Sequence, residues 1–221
     1  MSTQITSSKV VRDKYNWYSR FYDYMETLSE RAFGVYRQRI LPQLRGRILE
    51  IGVGTGLNIP YYCPQIQPVA VELSEGMLNK AQHRAIELGK EVFFVQADVE
   101  RLPFKSNQFD VAVATLVFSS VAHPVLGLRE LARVIKKTGQ VILLEHVLTE
   151  QPVLKEIMKK MNFIPAMLLG FVIDRQTAKN IQKAGLQIEE EQNLIGDVLK
   201  LFRARPSAFF PIDPFSTENN Q

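Results

Sequence analysis

"ILEIGVGTGLNIPYY", residues 48–62, is the stretch whose reading decides the fold. An apolar run ends at Glu50, and Gly52, Gly54 and Gly56 follow at alternate positions, as where a strand enters a tight loop that opens a helix. Such a loop offers free backbone N–H groups to an anionic ligand. The spacing is G-x-G-x-G. A dinucleotide fingerprint would put its third glycine at position 57, and a triphosphate loop would follow its last glycine with Lys and Ser/Thr, but the chain has Leu57 and Asn58 there. Both phosphate readings lose ground.

Working outward, strands and helices alternate. Before the loop, residues 10–43 read as helical, interrupted near Gly34 and ended at Pro42. After it, "NIPYYC" gives the turn and first helical residues, "QPVAVEL" a second strand, and "SEGMLNKAQHRAIELG" a helix with Ser74 as N-cap and Gly89 as its stop. "EVFFVQAD" is a third strand, and "FDVAVATLVFSSV" a fourth, apolar enough to be buried on both faces. "PVLGLRELARVIKKTG" is a helix closed by Gly139, "GQVILLEHV" the fifth strand, "RQTAKNIQKAG" a helix, and "LQIEEEQNLI" and "VLKLFRARP" the last two strands. This order predicts a doubly wound seven-stranded α/β sandwich, Rossmann-like, with a ligand beyond the carboxyl ends of its strands. The expected organisation is an N-terminal helical lid over 1–44, a domain over 45–206 with a lid insertion near 150–175, and an extended tail over 207–221.

Composition narrows the class. With 221 residues and 46% hydrophobic content the chain can bury a substantial core as one domain with an appendage. One cysteine, Cys63, excludes an intramolecular disulfide framework. No signal-peptide core and no run of eighteen apolar residues is present, so a cytoplasmic protein is expected. Residues 1–47 carry nine Lys/Arg against four Asp/Glu, a local +5 within a net +4. Interleaved with Tyr15, Trp17, Tyr18 and Tyr22, this excess suits nucleic acid, an anionic membrane surface or an anionic cofactor, or equally an amphipathic helix with solvated charges.

The acids after the strands indicate what the glycine loop receives. Glu72 lies twenty residues after Gly52, where a carboxylate accepts both hydroxyls of a ribose. Asp98 ends the third strand, where a carboxylate takes a hydrogen bond from an exocyclic amine, as adenine has; its alternative role is a turn or N-cap residue.

Four blocks in order, "LEIGVGTG", "VAVELSEGML", "ADVERLPFKSNQFDVAVA" and "LRELARVIKKTGQVILLEH", resemble the class I S-adenosylmethionine-dependent methyltransferases, particularly the ubiquinone and menaquinone biosynthesis group. The resemblance covers roughly residues 45–205. It implies S-adenosylmethionine as cofactor and no metal. It also implies that Gly52, Gly54 and Gly56, with Glu50 and Asn58, pass its methionyl part and that Glu72 holds the ribose. Asp98 and the Val99 backbone would hold the adenine, Leu73 and Met77 would flank it, and Thr115 would lie beneath the sulfonium.

Transfer of a methyl from sulfonium demands mainly alignment and desolvation. If a general base is needed, His146 at the end of strand five is the best placed; its alternative is packing. His123 reads as a loop or capping residue. Tyr15, Tyr18 and Tyr22 recur at i, i+3 and i+7, one face of a helix that is expected to meet the acceptor. "TLVFSSV" with "LEHV" is similar to membrane-associated thiol methyltransferases, and "FYDYMETLSERAFGVYR" to the lead-in of phospholipid N-methyltransferases. The uncharged 161–173 segment is too short to span a membrane and reads as an interfacial helix or an internal lid. A small apolar or lipid-like acceptor (thiol, amine or quinol precursor) with peripheral membrane contact is therefore expected. A nucleic-acid-binding module, or a cofactor-binding protein without turnover, is the rival.

Overall fold

The computed structural model describes residues 7–19, 33–147 and 176–207. Tyr22, the 150–175 insertion and residues 208–221 of the tail lie outside the described residues. Helix α1 spans Ser8–Tyr18, with the Ser7 hydroxyl accepting from the Val10 N–H at its start. Residues 33–40 form α2, followed by a 3-10 turn at Leu41–Gln43 with Pro42 inside it. Gly34 is buried within α2 and does not interrupt it. A glycine costs a helix about 1 kcal/mol, which packing of the apolar face outweighs here.

The strands are β1 Ile48–Ile51, β2 Val69–Glu72, β3 Phe93–Gln96, β4 Phe109–Thr115, β5 Ile135–His146, β6 Leu186–Ile195 and β7 Leu199–Pro206. They form one seven-stranded sheet in the order β3-β2-β1-β4-β5-β7-β6. The first five pair in parallel, and β7 runs antiparallel to both its neighbours. Helix α3 (Glu75–Glu87) follows β2, α4 (Pro124–Val134) precedes β5, and α5 (Thr177–Lys183) precedes β6. The first named helix has the expected cap, since the Ser74 hydroxyl accepts from the Met77 N–H at 3.2 Å. At its other end Gly89 takes φ +59 and the Lys90 N–H reaches back to the Ala85 carbonyl, the bond that stops a helix of this kind.

Side-chain alternation assigns the two faces of the sheet. Leu49, Ile51, Val71, Ala112, Ala114, Leu143 and Phe202 pack with Leu128 and Leu131 of α4 and Ile181 of α5. Ile48, Val113 and Ile142 point the other way, against Ile40 of α2 and Leu41 and Leu44 beyond it. Ala70 meets Leu78, Ala81 and Ala85 of α3. Each fully buried leucine contributes roughly 2 kcal/mol of transfer free energy. The outer strand β6 carries Glu189, Glu190 and Glu191, which pair with Arg205, Arg203 and Lys200 of β7.

The glycine loop does not open an α-helix as the sequence suggests: only a 3-10 turn, Ile59–Tyr61, forms there, and Tyr62 is already extended. Two boundaries also differ from the sequence expectation. Helix α4 ends at Val134 and β5 begins at Ile135, so Gly139 does not stop a helix. It lies where the register shifts between the Phe109–Ile135 and Val111–Gln140 pairs. A side chain there would stand 2.6 Å from the Asp110 carbonyl oxygen, which is why glycine occupies the bulge. Strand β4 ends at Thr115, not Val121, because Leu116 turns to φ +60. Beyond it Phe118 and Val121 are buried from a loop, with Leu116 and Val117 partly exposed.

Alternation along β1 puts Glu50 on the same buried face as Ile48, and it is 1% exposed. Its Oε1 accepts from Asn58 Nδ2 at 2.8 Å and its Oε2 from the Tyr62 hydroxyl at 3.0 Å. Arg37 of α2, also buried, donates Nε to Asn58 Oδ1 at 3.0 Å. Burial pushes the Glu50 carboxyl up to about 7, and the Tyr62 and Asn58 bonds with the nearby Arg37 charge only partly oppose it.

A carboxyl raised in the folded chain holds its proton more tightly there than in the unfolded chain. Its stabilising contribution is therefore complete below about pH 4.5, falls as the pH rises, and is gone above about pH 7. Glu50→Gln keeps the shape and removes the titration. In urea denaturation the variant should gain on the parent between pH 5 and pH 8 by on the order of 3 kcal/mol. Parallel stability curves would show that Glu50 stays ionised throughout.

Candidate active site

The carboxyl ends of β1, β2 and β4 and the residues after β3 open into one cleft, with α1 along its rim. The glycine loop forms its floor. Gly52, Gly54 and Gly56 all take positive φ, but only Gly54 has open space where a side chain would stand, the nearest atom being the Gly52 carbonyl oxygen at 4.0 Å. A side chain at Gly56 would meet Ile59 at 2.7 Å and the Ala81 backbone at 3.2 Å. Gly56 therefore serves the close approach of loop and α3.

Glu72 closes one side. Its Oε1 accepts from the Leu73 and Ser74 N–H groups at 2.9 Å and its Oε2 from the Gly54 N–H at 3.1 Å. Burial raises its carboxyl above the usual range, with the three backbone bonds opposing. Asp98 begins the next loop, its Oδ1 accepting from the Glu100 N–H at 2.9 Å.

The opposite wall is the loop 116–123, held by carboxylates at both ends. Glu145 of β5, 1% exposed, takes the Val117 and Phe118 N–H groups on one oxygen, both at 2.9 Å. Glu100 takes the His123 N–H at 2.7 Å and the His123 ring Nδ1 at 2.8 Å. Just before the first of these anchors Leu116, a branched residue at φ +60, stays in a sparsely allowed conformation because its N–H is bonded to the Leu144 carbonyl at 2.8 Å.

The structure brings Glu50, Gly52, Gly54, Asn58, Glu72, Leu73, Met77, Asp98, Val99 and Thr115 together in this cleft, with Tyr15 from α1. Asn58 Nδ2 also reaches Thr115 Oγ1 at 3.2 Å, tying the loop after β1 to the end of β4. Gly56 and His146 do not line it. His146 lies at the end of β5 with its ring edge-on to Phe33 at 5.3 Å between centroids, and burial lowers its pKa against a hydrogen bond with the Val198 backbone. The Tyr18 side chain and Tyr22 lie outside the described residues.

Several lining residues were not anticipated from sequence: Ser8, Val11 and Arg12 of α1, Arg37 of α2, and Leu116 to Val117 with Ser120 to Ala122. Ser8, Val11, Arg12 and Tyr15 fall at i, i+3, i+4 and i+7, so extending the tyrosine stripe backward along α1 would have found them. Together the cleft offers a half-buried carboxylate, backbone room over Gly54, a second carboxylate at Asp98 and apolar walls from Met77 and Val99. That set fits an adenosyl group carrying a methionyl chain.

The model of the methyltransferase domain family matches residues 49–143. The chain is 33% identical over 138 residues to a phosphatidylethanolamine N-methyltransferase of Cereibacter sphaeroides, a match covering 60% of this chain and 68% of that protein. It is 28% identical over 182 residues to a ubiquinone/menaquinone biosynthesis C-methyltransferase of Ectopseudomonas mendocina, over 71% of each. Among solved structures, a methyltransferase of Thermotoga maritima described as a possible histamine N-methyltransferase superposes with a TM-score of 0.66 at 22% identity, over 88% of this chain and 100% of that one. At that identity the likeness speaks for the fold. Taken with the glycine loop, the acids after β2 and β3 and the reversed β7, these matches make the chain a member of the S-adenosylmethionine-dependent methyltransferases, an enzyme of the class I fold.

Proposed function

We propose that the enzyme methylates a lipid-like acceptor at a membrane surface, the amine of a phospholipid headgroup first. The observation that carries this reading is the match to the phosphatidylethanolamine N-methyltransferase, at 33% identity over 138 residues. In it, Glu72 accepts the ribose hydroxyls, Asp98 the adenine amine, and Gly54 leaves room for the methionyl chain. S-adenosylmethionine, when bound, supplies a methyl on a sulfonium for in-line displacement. The chain's own work is to align and desolvate, through the walls at Met77, Val99, Val117 and Val121. The proposal leaves proton acceptance to solvent, because the His146 ring packs on Phe33 outside the cleft lining.

The surface of α1 supports membrane contact. Opposite its cleft-facing stripe, Val10 and Trp17 are 55% and 58% exposed. Lys9 stands beside them, and the nearby Asp13 charge is paired with Arg12 at 3.1 Å. An exposed aromatic and aliphatic pair bordered by cations suits the boundary of an anionic bilayer. Not all of the N-terminal +5 takes part, since Arg37 is buried and Arg45 folds back onto the Pro42 and Leu44 carbonyls. No helix among the described residues is long and apolar enough to cross a membrane.

A quinol precursor is the second reading, favoured by the match over 71% of the quinone-pathway relative. Turnover with methyl-labelled cofactor, offered phosphatidylethanolamine in vesicles, a quinol precursor and a small thiol, decides among them. Label in the phospholipid is expected, and label in the quinol or thiol alone would replace the acceptor. Glu72→Ala should weaken cofactor binding about tenfold or more, the worth of a charge-assisted hydrogen bond. Wild-type affinity in calorimetry would remove Glu72 from the site. Replacing Val10 and Trp17 together by serine should lower turnover on vesicles on the order of tenfold while sparing a monomeric short-chain phospholipid. Equal losses on both would mean that these side chains serve the fold and not the surface.

A further inference from the structure

Helix α1 does not simply lie over the cleft; it is seated on the first turn of α3. Asn16 Oδ1 accepts from the Ser74 hydroxyl at 2.6 Å and from the Gly76 N–H at 3.2 Å. The same Ser74 oxygen accepts the Met77 N–H, so one hydroxyl caps α3 and holds α1. Ser19, 6% exposed, donates its hydroxyl to the Asn16 carbonyl at 2.8 Å and lies against Gly76. A side chain on Gly76 would stand 2.5 Å from Ser19 Oγ and 3.2 Å from its Cβ. Gly76 does not take positive φ, so the backbone of α3 has no need of glycine there. Its bareness serves the neighbour.

The stripe of α1 that faces the cleft, Ser8, Val11, Arg12 and Tyr15, starts next to this seat at Tyr15, with Arg12 about one turn away, and Leu73, Ser74 and Met77 on the α3 side line the same cleft. We infer that Asn16, Ser74 and Gly76 are positioning residues for cofactor binding: they dock α1 so that Arg12 and Tyr15 complete the wall of the cofactor cleft. This rests on the reading that the cleft holds S-adenosylmethionine. None of the three need touch the reacting atoms. Glycine opening a helix at a position without conformational demand, and a serine cap whose proton goes to a different helix, are otherwise unexplained.

The chain holds a single tryptophan, Trp17, and it lies on α1, so its fluorescence anisotropy reports the seating directly. Alanine suits a helix better than glycine, so Gly76→Ala should keep a cooperative thermal transition while excluding Ser19. In cofactor-free protein, Gly76→Ala and Asn16→Ala should lower Trp17 anisotropy, and both should raise the dissociation constant for S-adenosylmethionine by about tenfold. Asn16→Asp keeps the acceptor oxygens and places a negative charge at a helix N-terminus, so it should match the parent within about twofold in both readouts. Asp98→Ala, run alongside, should lose cofactor affinity and keep the parent anisotropy, since its side chain bonds the Glu100 N–H and not the seat. Parent affinity or parent anisotropy in Gly76→Ala overturns the inference, as does failure of Asn16→Asp to restore what Asn16→Ala loses. If Asp98→Ala alone binds normally, the reading of the cleft fails, and the anisotropy series still tests the seat.

Discussion

A carboxylate buried where the sheet calls for an apolar side chain organises this enzyme. Glu50 occupies an inward position of β1, and isolating its charge there would cost several kcal/mol. The cost is partly offset by bringing partners to it: Tyr62 from beyond the glycine loop, Asn58 from the loop itself and, through Asn58, Arg37 of α2 and Thr115 of β4. Three stretches distant in sequence, α2, β1 with its loop, and β4, are thereby held at one point. The loop between β1 and β2 thus has a defined course, although its regular structure is a single 3-10 turn.

The same device recurs around the cleft. Glu72, Glu100 and Glu145 each collect backbone N–H groups from loops that would otherwise leave them unpaired. Away from the cleft, Asp110 takes the Arg47 N–H, and Glu130 the Leu102 N–H. Hydrogen bonds to an ionised acceptor are shorter and stronger than those between neutral groups. A strained residue such as Leu116 is tolerable in such a frame, because its neighbours are fixed on both sides.

Much of this was legible in the chain, and the rest was not for identifiable reasons. Strand-period and helix-period patterns located every strand of the sheet, and the Ser74 and Gly89 signals bounded α3, because these are local effects. Gly52, Gly54, Glu72 and Asp98 line one cleft, since position in a doubly wound sheet follows from strand order. The end of β4 was misjudged because residues 116–121 are as apolar as a buried strand, and only the carboxylate of Glu145, nearly thirty residues on, turns them into a loop. Gly139 was misjudged in the same way, since a bulge glycine and a helix stop look alike until the Asp110 carbonyl is placed beside one of them. The docking of α1 through Asn16 carries no local signal at all, for its partners lie nearly sixty residues away.

The outer strand β6 has a further consequence, for how copies of the enzyme behave at high concentration. An unpaired strand edge is a template on which another chain can extend the sheet, the first step of aggregation. Here that edge is lined by Glu189, Glu190 and Glu191, whose salt bridges to β7 keep the acids spread along it. A second β6 approaching side by side would bring acid against acid. The far edge, β3, is only four residues long, although Phe93 is 59% exposed on it. Among the described residues, lateral growth of the sheet is thus discouraged by charge on one side and by brevity on the other.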